Sequence, residues 1–204
     1  MIGIEQGVQT TGTRSAFLRR AATAGGTLVA GGFVAGAFPG FVSAAASPAQ
    51  DVRILNLTLT LEYLEEAFYA QALRAGKLTP ALRRFAETAG AHERAHVQFL
   101  EKALGRKAIK KPTFDFRDTI TNPKKFSKTA VLLEDTGVEA YNGQAANLTK
   151  PVLEAAAKIV SVEARHAGWI RAIRGDNPAP RATDRSLTAD AILERVKRTG
   201  FITS

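Results

Sequence analysis

The sequence predicts an all-α protein: a four-helix bundle with a long connection between helices two and three, an N-terminal export signal and a C-terminal extension. Three observations carry that prediction. Apolar residues recur at spacings of three and four over four segments, the period of a helix with one buried side. Several of those segments open at prolines and close at glycines, as helix starts and stops do. And one spacing of chemically special residues occurs twice, once in each half of the bundle.

Residues 1–46 read as an export signal rather than as part of the fold. A polar start leads to Arg14 and Arg19-Arg20, then to a weakly hydrophobic run from Ala21 to about Phe38, broken by Pro39 and Gly40. Ala44-Ala45-Ala46 supplies the small residues of a cleavage site. The stretch Thr13-Arg14-Ser15-Ala16-Phe17-Leu18-Arg19 resembles the twin-arginine consensus of bacterial secretion, with Ser15 where the second arginine belongs. The apolar run is near the roughly 17 residues a membrane span needs, but its Gly and Ala richness makes it a poor anchor. The expected location is therefore exported, periplasmic or cell-envelope.

The bundle is assigned to residues 47–175. Its first helix is expected over 51–75, with Asp51 favouring the N-terminus and Gly76 ending it. Ile54, Leu57, Leu61, Leu64, Phe68 and Leu73 form its apolar stripe, and Glu62 and Tyr69 lie on or beside that stripe. Glu65 and Glu66 read as solvated side chains. The second helix starts at Pro80 and stops at Gly105, with Leu82, Phe85, Ala89, Glu93, His96, Phe99 and Leu100 on its inner side. His92 precedes His96 by one turn; as a second-shell residue, a third ligand or a partly exposed polar group, the last is the plainer reading.

Residues 105–126 are longer than most bundle connections, which suggests a crossover that leaves helices two and three parallel. Phe114, Phe116 and Ile120 are expected to pin it to the bundle. The third helix begins between Asn122 and Ser127 and runs to about Asn147, with Val131, Glu134, Val138 and Tyr141 near one face. Gly137 and Gly143 weaken it by about 1 kcal/mol each against alanine, so each is expected to mark a close approach. The fourth helix opens at Lys150-Pro151 and ends at Gly175, with Val152, Ala156, Ile159, Val160, Glu163, His166, Trp169 and Ile170 inward. In residues 176–204 a short amphipathic helix is expected from Leu187 to about Arg198, packing through Ile192, Leu193 and Val196.

The composition restricts the chemistry. There is no cysteine, so disulfides, thiolate metal sites and thiol catalysis are excluded. A metal site must use carboxylate and imidazole, donors that suit iron, manganese or zinc. The net charge is +9. It favours solubility and attraction to an anionic envelope surface, and no nucleic-acid recognition motif accompanies it.

The repeated spacing is Glu62, Tyr69, Glu93, His96 and then Glu134, Tyr141, Glu163, His166. Two of the three histidines fall on it. Residues three apart share a helix face, so each Glu-x-x-His sends a carboxylate and an imidazole to one point. Four glutamates against two divalent cations make a neutral centre, which makes burial tolerable. Tyr69 and Tyr141 are placed to donate hydrogen bonds to carboxylates across the bundle, as outer-shell groups. Glu139 competes with Glu134 for the second copy, but Leu61-Glu62 to Tyr69 aligns with Leu133-Glu134 to Tyr141 and decides for Glu134. Phe99 and Trp169 read as core packing.

At these residues the chain resembles the ferritin-like superfamily, and within it the exported bacterial ferritin-like domain proteins of the desiccation-related type. The residues that carry the resemblance run from Leu61-Glu62-Tyr63-Leu64-Glu65 through Tyr69, then Glu93-x-x-His96, Leu133-Glu134-Asp135-Thr136-Gly137-Val138 through Tyr141, and Glu163-Ala164-Arg165-His166. The resemblance implies that Glu62, Glu93, His96, Glu134, Glu163 and His166 bind two iron or manganese ions. It implies chemistry with O2 or peroxide, in iron oxidation or oxidative-stress handling. A monomer or small homo-oligomer is expected, since nothing in the sequence identifies cage contacts. The rival expectation is a non-catalytic envelope protein that protects against stress or drying, or acts as a scaffold.

Overall fold

The computed structural model describes residues 46–203, and these form five α-helices: α1 (Pro48–Ala75), α2 (Pro80–Leu104), α3 (Pro123–Gln144), α4 (Lys150–Arg174) and α5 (Ala189–Thr199). The expected signal over residues 1–46 lies outside the described residues, apart from its last position. Each bundle helix has a proline in its first turn, where the missing N–H costs nothing. Ser47, Thr79 and Asn122 cap α1, α2 and α3 by accepting from backbone N–H groups. Gly76 and Gly175 stop α1 and α4 at φ 67° and 79°, the left-handed region where glycine carries no penalty.

Two of the bundle-helix boundaries differ from the expectation. α1 begins at Pro48 because Ser47, not Asp51, is its cap. Asp51 instead accepts from Thr149 N (2.9 Å) and Thr149 Oγ1 (2.6 Å), tying the start of α4 to the first turn of α1. Its charge thereby serves the N-terminal ends of two helices. α3 ends at Gln144, and Ala145–Asn147 tightens into a 3₁₀ turn.

The crossover is directly visible in its contacts. Asn56, near the start of α1, bonds Lys107 O and Ile109 N just beyond α2. Further along, Lys111 pairs with Glu66, and the Phe116 ring packs on Phe68 at 5.3 Å. The connection therefore climbs α1 from its start towards its C-terminal half. Phe126, in the first turn of α3, then stacks on Phe68 at 5.0 Å, while Tyr141 near the end of α3 reaches back to Glu62. So α3 runs antiparallel to α1, as α2 does, and α2 and α3 are parallel. α1 packs on α2 and α3, and α4 on α3 and α2.

The C-terminal extension closes the crossover. Asp115 N donates to Phe201 O (2.8 Å) and Thr203 N to Thr113 O (3.0 Å), and Phe116 meets Phe201 edge-on at 5.2 Å. α5 buries Ile192 and Val196, but Leu193 is 51% exposed, contrary to its expected packing role. With 100° per residue, Leu193 lies well off the Ile192–Val196 line. Phe99 is likewise 47% exposed rather than part of the core, since it turns away from the Glu93–His96–Leu100 face. Trp169 does pack, edge-on to Phe85 at 5.2 Å.

Two apolar clusters sit at opposite ends of the bundle. One includes Phe68, Phe85, Phe126 and Ile170; the other includes Ile54, Leu100, Leu104 and Ile159. Between them each of α1, α2, α3 and α4 contributes acids or histidines.

Candidate metal centre

All six predicted side chains meet in that middle layer. Glu62 comes from α1, Glu93 and His96 from α2, Glu134 from α3, and Glu163 and His166 from α4. Glu93, Glu134 and Glu163 are fully buried, Glu62 is 1% exposed, and the histidines are 9% (His96) and 3% (His166) exposed. His96 Nδ1 lies 2.8 Å from Glu93 Oε2, 3.1 Å from Glu163 Oε1 and 3.2 Å from Glu62 Oε2. His166 Nδ1 lies 2.9 Å from Glu93 Oε1 and 3.3 Å from Glu134 Oε2.

Two donor groups emerge, Glu62–Glu93–His96–Glu163 and Glu93–Glu134–Glu163–His166. Within each group the donor atoms all fall within 4.8 Å of one another. Glu93 and Glu163, the acids of the two Glu-x-x-His pairs, belong to both groups. Glu62 and Glu134 belong to one each, so the internal sequence repeat becomes a spatial repeat.

The tyrosines bond across that repeat. Tyr141 donates to Glu62 Oε1 at 2.6 Å, and Tyr69 donates to Glu134 Oε1. Each therefore holds the other copy's glutamate, a consequence of α1 and α3 lying antiparallel side by side. Burial first, then the charge of the bonded glutamate, pushes both phenols well above their ordinary range, so they remain donors.

His92 is exposed, as expected, but it is not idle. Its Nδ1 is 2.8 Å from His166 Nε2 and the two rings stack with 15° between planes. A His166 that offers the Nδ1 lone pair inward carries its proton on Nε2 and donates it to His92. Such an outer bond sets tautomer and ring orientation. Burial and the adjacent His166 push His92 down, which keeps it neutral and able to accept.

Glu65 is a correction. It is 2% exposed, not solvated, and among the described residues its Oε2 has no hydrogen bond or ion pair. The available signal was its position three residues after Glu62, on the same helix face. The matching position in the second copy is Gly137. A Cβ on Gly137 would lie 3.0 Å from Glu163 Oε2 and 3.5 Å from Glu65 Oε1, so the expected close approach is made by the acids themselves. At Gly143 it is made by the C-terminal extension: a Cβ there would stand 1.8 Å from Leu187 O. Glu139, the discarded alternative to Glu134, is engaged by Arg195 of α5 at 2.6 Å.

The electrostatics of the layer are set by its buried acids. Burial pushes Glu62 up to about 7 and Glu65, Glu134 and Glu163 upward as well. Burial also opposes charge on Glu93, but hydrogen bonds from His166 and His96 outweigh it and bring Glu93 down to about 2. The histidines respond in the opposite sense. Their burial disfavours charge, yet the surrounding carboxylates raise His96 to about 12 and His166 to about 10. Protons therefore stand where cations would neutralise the acids.

The ferritin-like domain profile matches residues 50–176, the whole bundle, and the chain belongs to that family. A search of curated proteins returned no match. The residues present fit a metal: the donors are carboxylates and imidazoles, and among the described residues buried Glu65 Oε2 and Glu163 Oε2 have neither a hydrogen bond nor an ion pair.

Proposed function

We propose that this protein binds a pair of iron or manganese ions in the middle layer of its bundle and uses them on O2 or peroxide, in iron oxidation or oxidative-stress handling. The observation that carries the reading is the pair of four-residue donor groups sharing Glu93 and Glu163. Glu62 and His96 complete one position, Glu134 and His166 the other. Bound iron or manganese would supply the redox couple for that chemistry, held by the carboxylates and imidazoles of the layer.

The protein residues supply geometry and insulation. Tyr141 and Tyr69 fix the rotamers of Glu62 and Glu134. His92 fixes the tautomer of His166. The apolar clusters above and below keep bulk water from the layer, which strengthens every charge interaction inside it. An exported location follows from the reading of residues 1–46, and among the described residues no helix is long and apolar enough to cross a membrane.

The test is elemental analysis of the purified chain after anaerobic loading with Fe(II) or Mn(II). About two ions per chain are expected, and a His96→Ala/His166→Ala double variant should lose them. A wild-type chain that takes up neither metal refutes the proposal and leaves the bundle as a protective or scaffold element.

A further inference from the structure

We propose that Glu65 is a seventh metal-facing side chain, a carboxylate that joins the Glu134–His166 position and makes the two halves of the centre unequal. The inference rests on the reading of the layer as a two-metal centre and adds a residue that the repeated motif does not contain.

Its first support is the unpartnered oxygen. Glu65 is 2% exposed and, among the described residues, Oε2 has neither hydrogen bond nor ion pair. A buried carboxylate without a partner is costly unless it holds a proton or a cation receives it. Placement is the second support. Glu65 lies one turn along α1 from Glu62, in the direction of Tyr69, and Tyr69 bonds Glu134. The step along the helix therefore moves away from the Glu62–His96 group and towards the Glu134–His166 group. Glu163 and then Glu134 are the carboxylates whose charges bear on it most.

The broken repeat is the third support. Three residues after the first glutamate, one copy has Glu65 and the other has Gly137. Glu65 Oε1 and Glu163 Oε2 both border the space that a Gly137 side chain would occupy. One helix gives up its side chain where the other sends an acid inward. A two-fold-symmetric centre would need no such exchange. With Glu65 the layer holds five carboxylates, one more negative charge than two divalent cations balance. That surplus favours a higher oxidation state at the position Glu65 joins.

The experiment is anaerobic titration of the full chain with Co(II), followed by its visible absorption, for wild type, Glu65→Gln and Glu65→Leu. Wild type should bind two ions. In both variants one of the two binding steps should weaken by at least about 10-fold, the scale of losses at metal-supporting positions. The cobalt band of that step should gain intensity as a carboxylate leaves its coordination sphere. The melting temperature of the metal-free variants should equal or exceed that of wild type, because an unpartnered buried acid has been removed. Two unchanged binding steps and unchanged bands in a folded variant, with wild type loading two ions, overturn the role of Glu65 alone. Failure of wild type to bind Co(II) overturns the metal-centre reading together with it.

Discussion

Gly137→Ala sets local helix stability against the geometry of the acids. Gly137 lies inside α3, where alanine is favoured by about 1 kcal/mol. Its new Cβ would stand 3.0 Å from Glu163 Oε2, so that carboxylate must withdraw by a few tenths of an ångström; the 3.5 Å contact with Glu65 Oε1 is ordinary. Because the atom that yields is the end of a flexible side chain, the metal-free protein should be unchanged or more stable by up to about 1 kcal/mol. For a chain of this size that is a rise of about 2–4 °C at most. Metal binding should move the other way. Glu163 belongs to both donor groups, so displacing it should weaken both ions together, by about 10- to 100-fold. Glu65→Gln, by contrast, should weaken one. Thermal melting in chelator and anaerobic Co(II) titration read the two effects separately. A melting temperature several degrees below wild type, or metal affinity equal to wild type, would refute the reasoning.

His92→Ala should lower metal affinity by about 10- to 100-fold while the fold persists, because His166 loses the acceptor of its Nε2–H. His92→Gln, which restores an acceptor, should recover part of the loss in the same titration. The metal-free protein should become less stable between pH 5 and pH 9. Glu62 is raised to about 7, so its contribution is complete below pH 4.5 and is lost as the pH rises through 7, about 3 kcal/mol at 1.36 kcal/mol per unit. His96 and His166, raised to about 12 and 10, contribute fully below 6.5 and also lose stability as the pH rises. Over the same interval metal affinity should increase, since binding displaces these protons; melts with and without Mn(II) at each pH check both signs. Asp51→Ala should destabilise the bundle by about 1–3 kcal/mol in urea unfolding, the cost of leaving Thr149 N–H and Oγ1–H without their carboxylate acceptor, and leave metal content unchanged.

The four bundle helices and the six acids and histidines were legible in the sequence because both are local facts. A proline start, a glycine stop and a period of 3.6 are properties of a single segment. Glu-x-x-His converges by helix geometry alone, and its repetition with Glu and Tyr seven apart made coincidence a poor account. The length of the 105–126 connection pointed to the crossover because a short turn cannot return to the opposite end of a bundle.

Tertiary structure decided what depends on the neighbour facing a residue. Glu65 beside Glu66 has the look of a solvated pair, and only the helices packed against that side of α1 bury it. Leu193 and Phe99 are apolar yet exposed, because the angle at which a helix lies on the bundle, not its composition, chooses the buried side. His92 became the partner of His166 through the approach of α4 to α2. Asp51 found its partner at Thr149, across the diagonal of the bundle, rather than in its own helix. Periodicity can place a residue on a face, but the partner it meets there is set by a second segment far away in the chain, and the free energy of a buried acid or an exposed leucine depends on that partner.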